Sequence, residues 1–162
     1  MRGFVYQLNV SSGGVPKKRV EVAEVTETGV SGDRQANTRL HGGPERAVCL
    51  FSLERIEAMR AEGHPIEPGS TGENITVRGI DWELLEPGKR LRIGHEVVLE
   101  ITLYTNPCKN IAGSVADGDF SRLDVAKHPG QSRLYARVIT PGTVHTSDPI
   151  EVMPAGPGVP LS

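Results

Sequence analysis

The sequence has 162 residues, a length typical of one domain that buries a sizeable core without disulfides or a structural metal. Its 18 basic and 20 acidic residues are scattered and give a net charge of −2, which argues against a nucleic-acid-binding footprint and a polybasic membrane patch. The two cysteines, Cys49 and Cys108, have no paired spacing, so neither a disulfide framework nor a zinc knuckle is predicted. No apolar run is long enough for a signal peptide or a membrane span, and we expect a cytoplasmic protein without nucleic-acid or membrane partners.

The elements predicted along the chain are mostly strands. Short runs of β-branched residues are separated by turns that use the 19 glycines and 12 prolines, which is typical of a mainly β fold. The clearest alternation predicts one apolar strand face, formed by Val97, Leu99, Ile101 and Leu103. A closed or nearly closed barrel would bury such faces. The predicted strands are 4–10, 19–26, 46–51, 74–77, 90–93, 96–103, 134–139 and 150–153.

One helix is predicted directly after the third strand. Ser52 is a suitable N-cap, Glu54 suits the first turn and Gly63 suits the stop. Three apolar residues share one stripe of this helix: Leu53, Ile56 and Met59. We expect a single domain over residues 1–153 and a Pro/Gly-rich, flexible tail over 154–162.

Cys108 is the residue with the most evident chemistry. Pro107 stiffens the backbone ahead of the thiol, and Lys109 places a cation beside it. The segment from Asn110 lacks strand alternation, which favours a short helix after Pro107 whose dipole would stabilise a thiolate. A thiolate at Cys108 could attack sulfur or bind a soft metal. The alternative interpretation is that Cys108 is a small, buried and inert residue. Cys49 lies in an alternating strand and is interpreted as core filling.

Five clusters of glycine and polar residues have no evident packing role. Their backbone N–H groups and arginines are suited to a phosphorylated ligand, although each cluster alone is equally compatible with ordinary turns. The clusters occupy residues 13–17, 32–35, 41–44, 72–74 and 132–137.

Several of these segments resemble, in their order and spacing, the MOSC family, named after the C-terminal domain of molybdenum-cofactor sulfurases. They are residues 32–35, 41–44 leading into 47–48, 72–74, 88–94, Pro107-Cys108 and 133–138. The resemblance covers residues 5–153 and implies a stand-alone member with a strand-rich fold built around a β-barrel. It also implies that Cys108 carries sulfur as a persulfide or ligates molybdenum, with the pterin molybdenum cofactor bound nearby. The sequence has no pyridoxal-phosphate domain and no iron–sulfur motif, so a cysteine desulfurase, another sulfur donor or a redox partner would be needed.

Ligand chemistry indicates which residues would bind such a cofactor, because a pterin offers a phosphate, a polar ring edge and a soft metal centre. Arginines suit phosphate or pterin oxygens as bidentate donors, and lysines suit them as point charges. Asn74 and Glu73 would bind polar ligand edges or fix their own turn, the second being favoured, and Asp33 would pin loops. The expected cofactor-binding residues are Lys17, Arg34, His41, Gly42, Gly43, Asn74, Lys109, Arg133 and Arg137.

Three functions follow from these residues. The first is a sulfur-transfer or molybdenum-cofactor-binding protein that uses Cys108, with an enzymatic activity that would depend on a partner. The second is a binding module without catalysis, which holds a phosphorylated small molecule in the same pocket. The third is a hydrolytic zinc site built from Cys108, His41 and either His128 or His145, which no metal-ligand spacing supports.

Overall fold

The computed structural model describes residues 2–11, 16–33, 44–107 and 109–154. Within them the chain forms eleven strands, one α-helix and four 3₁₀ helices. The strands are β1 (Arg2–Val10), β2 (Lys18–Val20), β3 (Val22–Thr26), β4 (Gly29–Val30), β5 (Val48–Ser52), β6 (Ile75–Arg78), β7 (Arg90–Ile93), β8 (Val97–Tyr104), β9 (Leu134–Thr140), β10 (Gly142–His145) and β11 (Pro149–Met153). The helix is α1 (Leu53–Ala61), and the 3₁₀ helices are Pro44–Arg46, Trp82–Leu84, Lys109–Ser114 and Phe120–Leu123.

Seven strands close into a β-barrel. The main sheet has the order β11-β7-β8-β9-β5-β6-β1-β2, and β1 also pairs with β11, so the sheet closes on itself and β2 remains outside the closed ring. The closing pairs run from Arg2 with Glu151 to Phe4 with Pro149. A smaller sheet of order β10-β3-β4 lies outside this ring. The predicted mainly β, barrel-type fold is confirmed.

The barrel interior is apolar and follows the predicted alternation over most of β8. Val97, Leu99 and Ile101 are fully buried, but Leu103 is exposed. The register between β8 and β9 shifts between Ile101 and Leu103, which turns the later side chain away from the core. The predicted face is therefore correct up to this bulge and wrong beyond it.

The predicted helix is confirmed, and it connects two parallel strands. The side chain of Ser52 accepts a hydrogen bond from the backbone N–H of Arg55, and Ile56 and Met59 are fully buried. Gly63 follows with φ +99°, a left-handed conformation that favours glycine. Strands β5 and β6 pair in parallel, and a parallel pair needs a crossover connection between its strands. Helix α1 lies in that connection.

Several predicted elements have different bounds or types. The predicted strand 19–26 is split at Glu21, because β2 pairs with β1 whereas β3 pairs with β10 in the smaller sheet. The short strands β4 and β10 were not predicted. The helix after Pro107 exists as the 3₁₀ helix Lys109–Ser114. Among the described residues, no helix is long and apolar enough to cross a membrane.

Candidate functional site

A group of buried polar side chains lies beside strand β5. Burial of polar groups is favourable only when they are hydrogen-bonded, and most of these are connected to one another. We call this group the polar cluster; its members are Asn9, Lys17, Asp33, Thr71, Glu73, Asn74, Thr76, Thr105 and Arg133.

Asp33 organises one half of the polar cluster. Its two carboxylate oxygens each lie 2.6 Å from the ammonium of Lys17, and both side chains are only 4% exposed. Asp33 also accepts hydrogen bonds from the backbone N–H of Ser11 at 2.9 Å and from the amide of Asn74 at 2.8 Å. The carboxylate thus fixes three separate segments, which agrees with the predicted role of Asp33 in pinning loops. The ammonium of Lys17 is held by Asp33, and its binding of a ligand remains a prediction.

Asn74 and Glu73 both stabilise the segment that leads into β6. The backbone N–H of Cys49 donates to the side-chain oxygen of Asn74 at 2.9 Å, and the backbone N–H of Asn74 donates to the carbonyl of Cys49 at 2.7 Å. The carboxylate of Glu73 accepts from Thr71, Thr76 and the backbone N–H of Gly69. These contacts support the favoured interpretation that the two residues fix their own turn.

Arg133 forms the other half of the polar cluster. Its guanidinium is buried and donates to the carbonyls of Thr71 at 2.6 Å and Asn106 at 3.5 Å. Within the described residues it has no carboxylate in salt-bridge distance, and its Nε has no hydrogen-bond partner. A buried cation with no carboxylate in salt-bridge distance is costly, so this arrangement favours an anionic group close to Arg133.

Arg137 is in a different environment, although it was predicted to have the same role. Its side chain is 43% exposed, and its Nε donates to Glu100 at 2.7 Å while a second guanidinium nitrogen also contacts that carboxylate. Glu45 lies 3.9 Å away from the same guanidinium. The structure therefore brings Arg133, Lys17 and Asn74 into one cluster and places Arg137 in a separate ion-pair group.

Cys49 is buried, as predicted, but it faces polar neighbours. Its Sγ lies 3.9 Å from the hydroxyl of Thr105. Burial raises the pKa of the thiol above its ordinary value, and Arg133 opposes this shift. The thiol is therefore held in its protonated, unreactive form at neutral pH. The predicted role of Cys49 as core filling is confirmed by its burial, and its side chain also contacts the polar cluster.

The segments on both sides of position 108 contact this region. The carbonyl of Asn106, two residues before it, accepts a hydrogen bond from Arg133. After it, the 3₁₀ helix Lys109–Ser114 is anchored by its last residue, because the hydroxyl of Ser114 donates to the hydroxyl of Ser70 at 2.8 Å. The other predicted site residues lie outside the described residues: Arg34, His41, Gly42, Gly43 and Cys108. The same holds for the side chain of Lys109.

Sequence reasoning missed several members of the polar cluster. Asn9, Thr71 and Thr105 were not singled out, since each is a lone polar residue in or near a strand. The only signal was that Asn9 follows the apolar Leu8 within a predicted strand. Among the described residues, no group of three or more histidine, cysteine or carboxylate side chains is arranged to hold a metal ion.

Comparison with known protein families matches residues 37–151 to the MOSC domain. The chain is 26% identical over 133 residues to protein YiiM of Escherichia coli K12, which covers 80% of this chain and 58% of that protein. It is 29% identical over 126 residues to YflK of Bacillus subtilis 168, covering 77% and 56%. The chain thus spans less than two thirds of these relatives.

The fold also matches solved structures. The crystal structure of YiiM from Geobacillus stearothermophilus superposes with a TM-score of 0.72 at 21% identity, covering 96% of this chain and 77% of that one. At this identity the likeness supports the fold alone. The domain match spans most of the chain, and the chain therefore belongs to the MOSC domain family.

Proposed function

We propose that this protein handles sulfur or the molybdenum cofactor, with Cys108 as the residue that binds either sulfane sulfur or molybdenum. The single observation that carries the proposal is Arg133, a buried cation without a carboxylate partner among the described residues, which contacts Asn106 two positions before Cys108. Such a guanidinium would stabilise a thiolate, a persulfide anion or a phosphate. Membership of the MOSC family supports the same interpretation.

The residues available to a cofactor fit an anionic pterin with a soft metal. Arg133 would hold a phosphate or a pterin oxygen, because its Nε has no hydrogen-bond partner among the described residues. Cys108 would ligate the metal, since a thiolate is a soft ligand. When bound, the cofactor would supply a redox-active metal centre. The ammonium of Lys17 is bound by Asp33, and the side-chain oxygen of Asn74 accepts a hydrogen bond from the backbone N–H of Cys49. These two residues therefore support the site indirectly.

In the sulfur-carrier version, the Cys108 thiolate attacks the outer sulfur of a donor persulfide, such as that of a cysteine desulfurase. A new sulfur–sulfur bond forms at Cys108, the donor's sulfur–sulfur bond breaks, and the donor cysteine leaves as a thiolate. The sulfane sulfur keeps its proton, so the exchange is balanced without any further oxidant. Arg133 would favour the reaction by lowering the energy of the attacking anion.

The experiment is to incubate the protein with a cysteine desulfurase and cysteine, and to record its intact mass. We expect the wild type to gain one sulfur atom and Cys108→Ser to gain none while remaining folded, because a hydroxyl stays protonated at neutral pH. Arg133→Gln should load about tenfold more slowly, the effect of one pKa unit on the thiolate fraction. Arg137→Gln is the matched control and should load at the wild-type rate.

Metal analysis separates the two versions of the proposal. The protein is produced in a host that makes the molybdenum cofactor, and its metal content is compared with that of Cys108→Ser. Molybdenum that is lost in the variant would support the metal-ligand version. If neither sulfur nor molybdenum depends on Cys108, the proposal is wrong, and a non-catalytic module for a phosphorylated ligand explains Arg133 better.

A further inference from the structure

A cavity of about 330 Å³ lies beside the segment that leads to Cys108. Its walls come from the end of β8, the start of β9, the 3₁₀ helix Trp82–Leu84 and the loop 125–130. Tyr104, which lines the cavity, is the last residue of β8 and lies four residues before Cys108. No member of the polar cluster lines this cavity, and no residue role assigned above involves it.

The walls of the cavity are mainly apolar and include two aromatic rings. Trp82 and Leu134 are almost fully buried and form its inner part, whereas Tyr104 is 37% exposed. The indole N–H of Trp82 donates to the carbonyl of Ser132 at 2.8 Å, and its ring packs edge-on against Phe51 with 6.1 Å between centroids. The tryptophan is therefore held in place before any ligand arrives, which favours binding because little side-chain freedom remains to be lost.

The charges near the cavity disfavour an anion. Of the described residues that line it, Glu83 is the only charged one, and its carboxylate is bound by Arg55 at 3.1 Å. Burial raises the pKa of Tyr104, and the negative charge of Glu86 raises it further, so the phenol stays neutral and can donate a hydrogen bond. None of the described residues that line the cavity is cationic, and the nearby guanidinium of Arg55 is already paired with Glu83, in contrast to the surroundings of Arg133.

We propose that this cavity, between Trp82, Tyr104 and Leu134, binds a small, neutral, planar aromatic compound. Two aromatic walls match the flat face of a ring, and the volume lies at the lower end of the range for ligand pockets, which suits one or two fused rings. The Tyr104 hydroxyl supplies a polar group that orients a ring substituent. The bound ring would belong to a substrate that reacts at Cys108, and this part of the proposal rests on the function proposed for Cys108.

The single tryptophan of the chain gives a direct readout of binding. Benzamide is titrated into ¹⁵N-labelled protein, and the one indole N–H signal is followed by NMR. We expect a saturable shift with a dissociation constant of about 0.1–1 mM, a usual range for a ligand of this size. Benzoate, which has the same shape and a negative charge, should bind at least tenfold more weakly. The absence of a saturable shift, or equal binding of benzoate, would overturn the proposal.

Two variants and a matched control locate the binding. Tyr104→Ala should weaken benzamide binding roughly five- to tenfold, because one aromatic wall is lost. Val125→Phe should abolish it by filling the cavity. Leu103→Ala is the control, since Leu103 is similarly exposed at the end of the same strand but does not line the cavity, and it should bind like the wild type. Wild-type affinity in Val125→Phe would contradict the assignment.

Cys108→Ser separates this proposal from the function proposed above. Its benzamide affinity should equal that of the wild type, whereas its sulfur loading should be lost. Benzamide binding by a wild type that loads neither sulfur nor molybdenum would refute the proposed function and support the cavity. Loading without any benzamide binding would refute the cavity proposal alone.

Discussion

Arg133 and Arg137 lie four residues apart and received the same prediction, yet they occupy two regions with different physical chemistry. Arg133 is buried in the polar cluster and contacts only carbonyl oxygens among the described residues. Arg137 lies on the exposed side of β9 and is bound by Glu100. A cation whose charge is already balanced has little attraction left for a ligand, whereas an unbalanced buried one has much. The comparison indicates that the polar cluster, and not the Arg137 region, is suited to an anion.

The largest effect is expected in the polar cluster, from breaking its buried ion pair. Asp33→Asn should lower the free energy of unfolding by about 3–5 kcal/mol, because the Lys17 ammonium would remain buried without its counter-charge. The measurement is chemical denaturation at neutral pH. The double variant Lys17→Met/Asp33→Asn should recover most of the loss, since neither charge then remains.

A matched surface control tests whether burial is the cause of the large loss of stability expected for Asp33→Asn. Glu21→Gln removes the carboxylate that lies 3.4 Å from Arg19, where both side chains are well exposed. This change should cost less than about 0.5 kcal/mol. If the free energy of unfolding fell as little in Asp33→Asn as in Glu21→Gln, burial would not be what makes the Lys17–Asp33 pair important.

A second, smaller effect concerns Cys49 and alkaline pH. Burial raises the pKa of its thiol above 9.0, so the unfolded chain releases this proton at a lower pH than the folded protein. The resulting stability is fully present below pH 9 and is lost as the pH rises toward the folded-state pKa. The loss of unfolding free energy should approach about 1.4 kcal/mol per pH unit between pH 9 and the folded-state pKa.

Cys49→Ala isolates this contribution. Its free energy of unfolding, measured from pH 8 to pH 10.5, should decline less steeply than that of the wild type. The slope is the informative quantity, because the substitution also removes packing at every pH. Identical slopes would show that the Cys49 thiol does not ionise on unfolding in this range.

The smallest effect is expected at Arg137. Arg137→Gln should lower the free energy of unfolding by about 0.5–1.5 kcal/mol, because Glu100 loses one ion pair but keeps Arg90 at 3.5 Å. Arg92 is an exposed arginine on β7, the strand on the other side of β8, and it has no salt bridge among the described residues. Arg92→Gln should therefore change the free energy of unfolding by less than about 0.5 kcal/mol. A loss at Arg137 above that of Asp33→Asn would reverse the order of the two regions.

The sequence allowed the barrel to be predicted because its strand faces and turns are local signals. The α1 helix was located correctly through its cap at Ser52 and its stop at Gly63. In the smaller sheet, β4 was missed because two residues are too few for alternation to appear, and β10 was missed because it begins with a glycine and has one buried apolar residue, Val144. The break at Glu21 depends on which strands β2 and β3 meet in space.

The site was harder to predict than the fold. Arg133 and Arg137 are an even number of residues apart, which would place them on the same face of one extended strand. Their burial differs because Arg133 lies ahead of the first residue of β9 and turns toward Thr71, 62 positions away in sequence. The pairing of Lys17 with Asp33 also depends on the way distant segments pack.

The seam that closes the barrel has a consequence for the speed of folding. The pairs from Arg2 with Glu151 to Phe4 with Pro149 join the first and last strands, nearly the full described length apart. Contacts of such sequence separation have a high entropic cost and form slowly. On a ribosome, this seam cannot form until β11 has been synthesised, so a nascent chain would expose the closing edge of β1 for most of its synthesis and the free edge of β7 from its own synthesis onward.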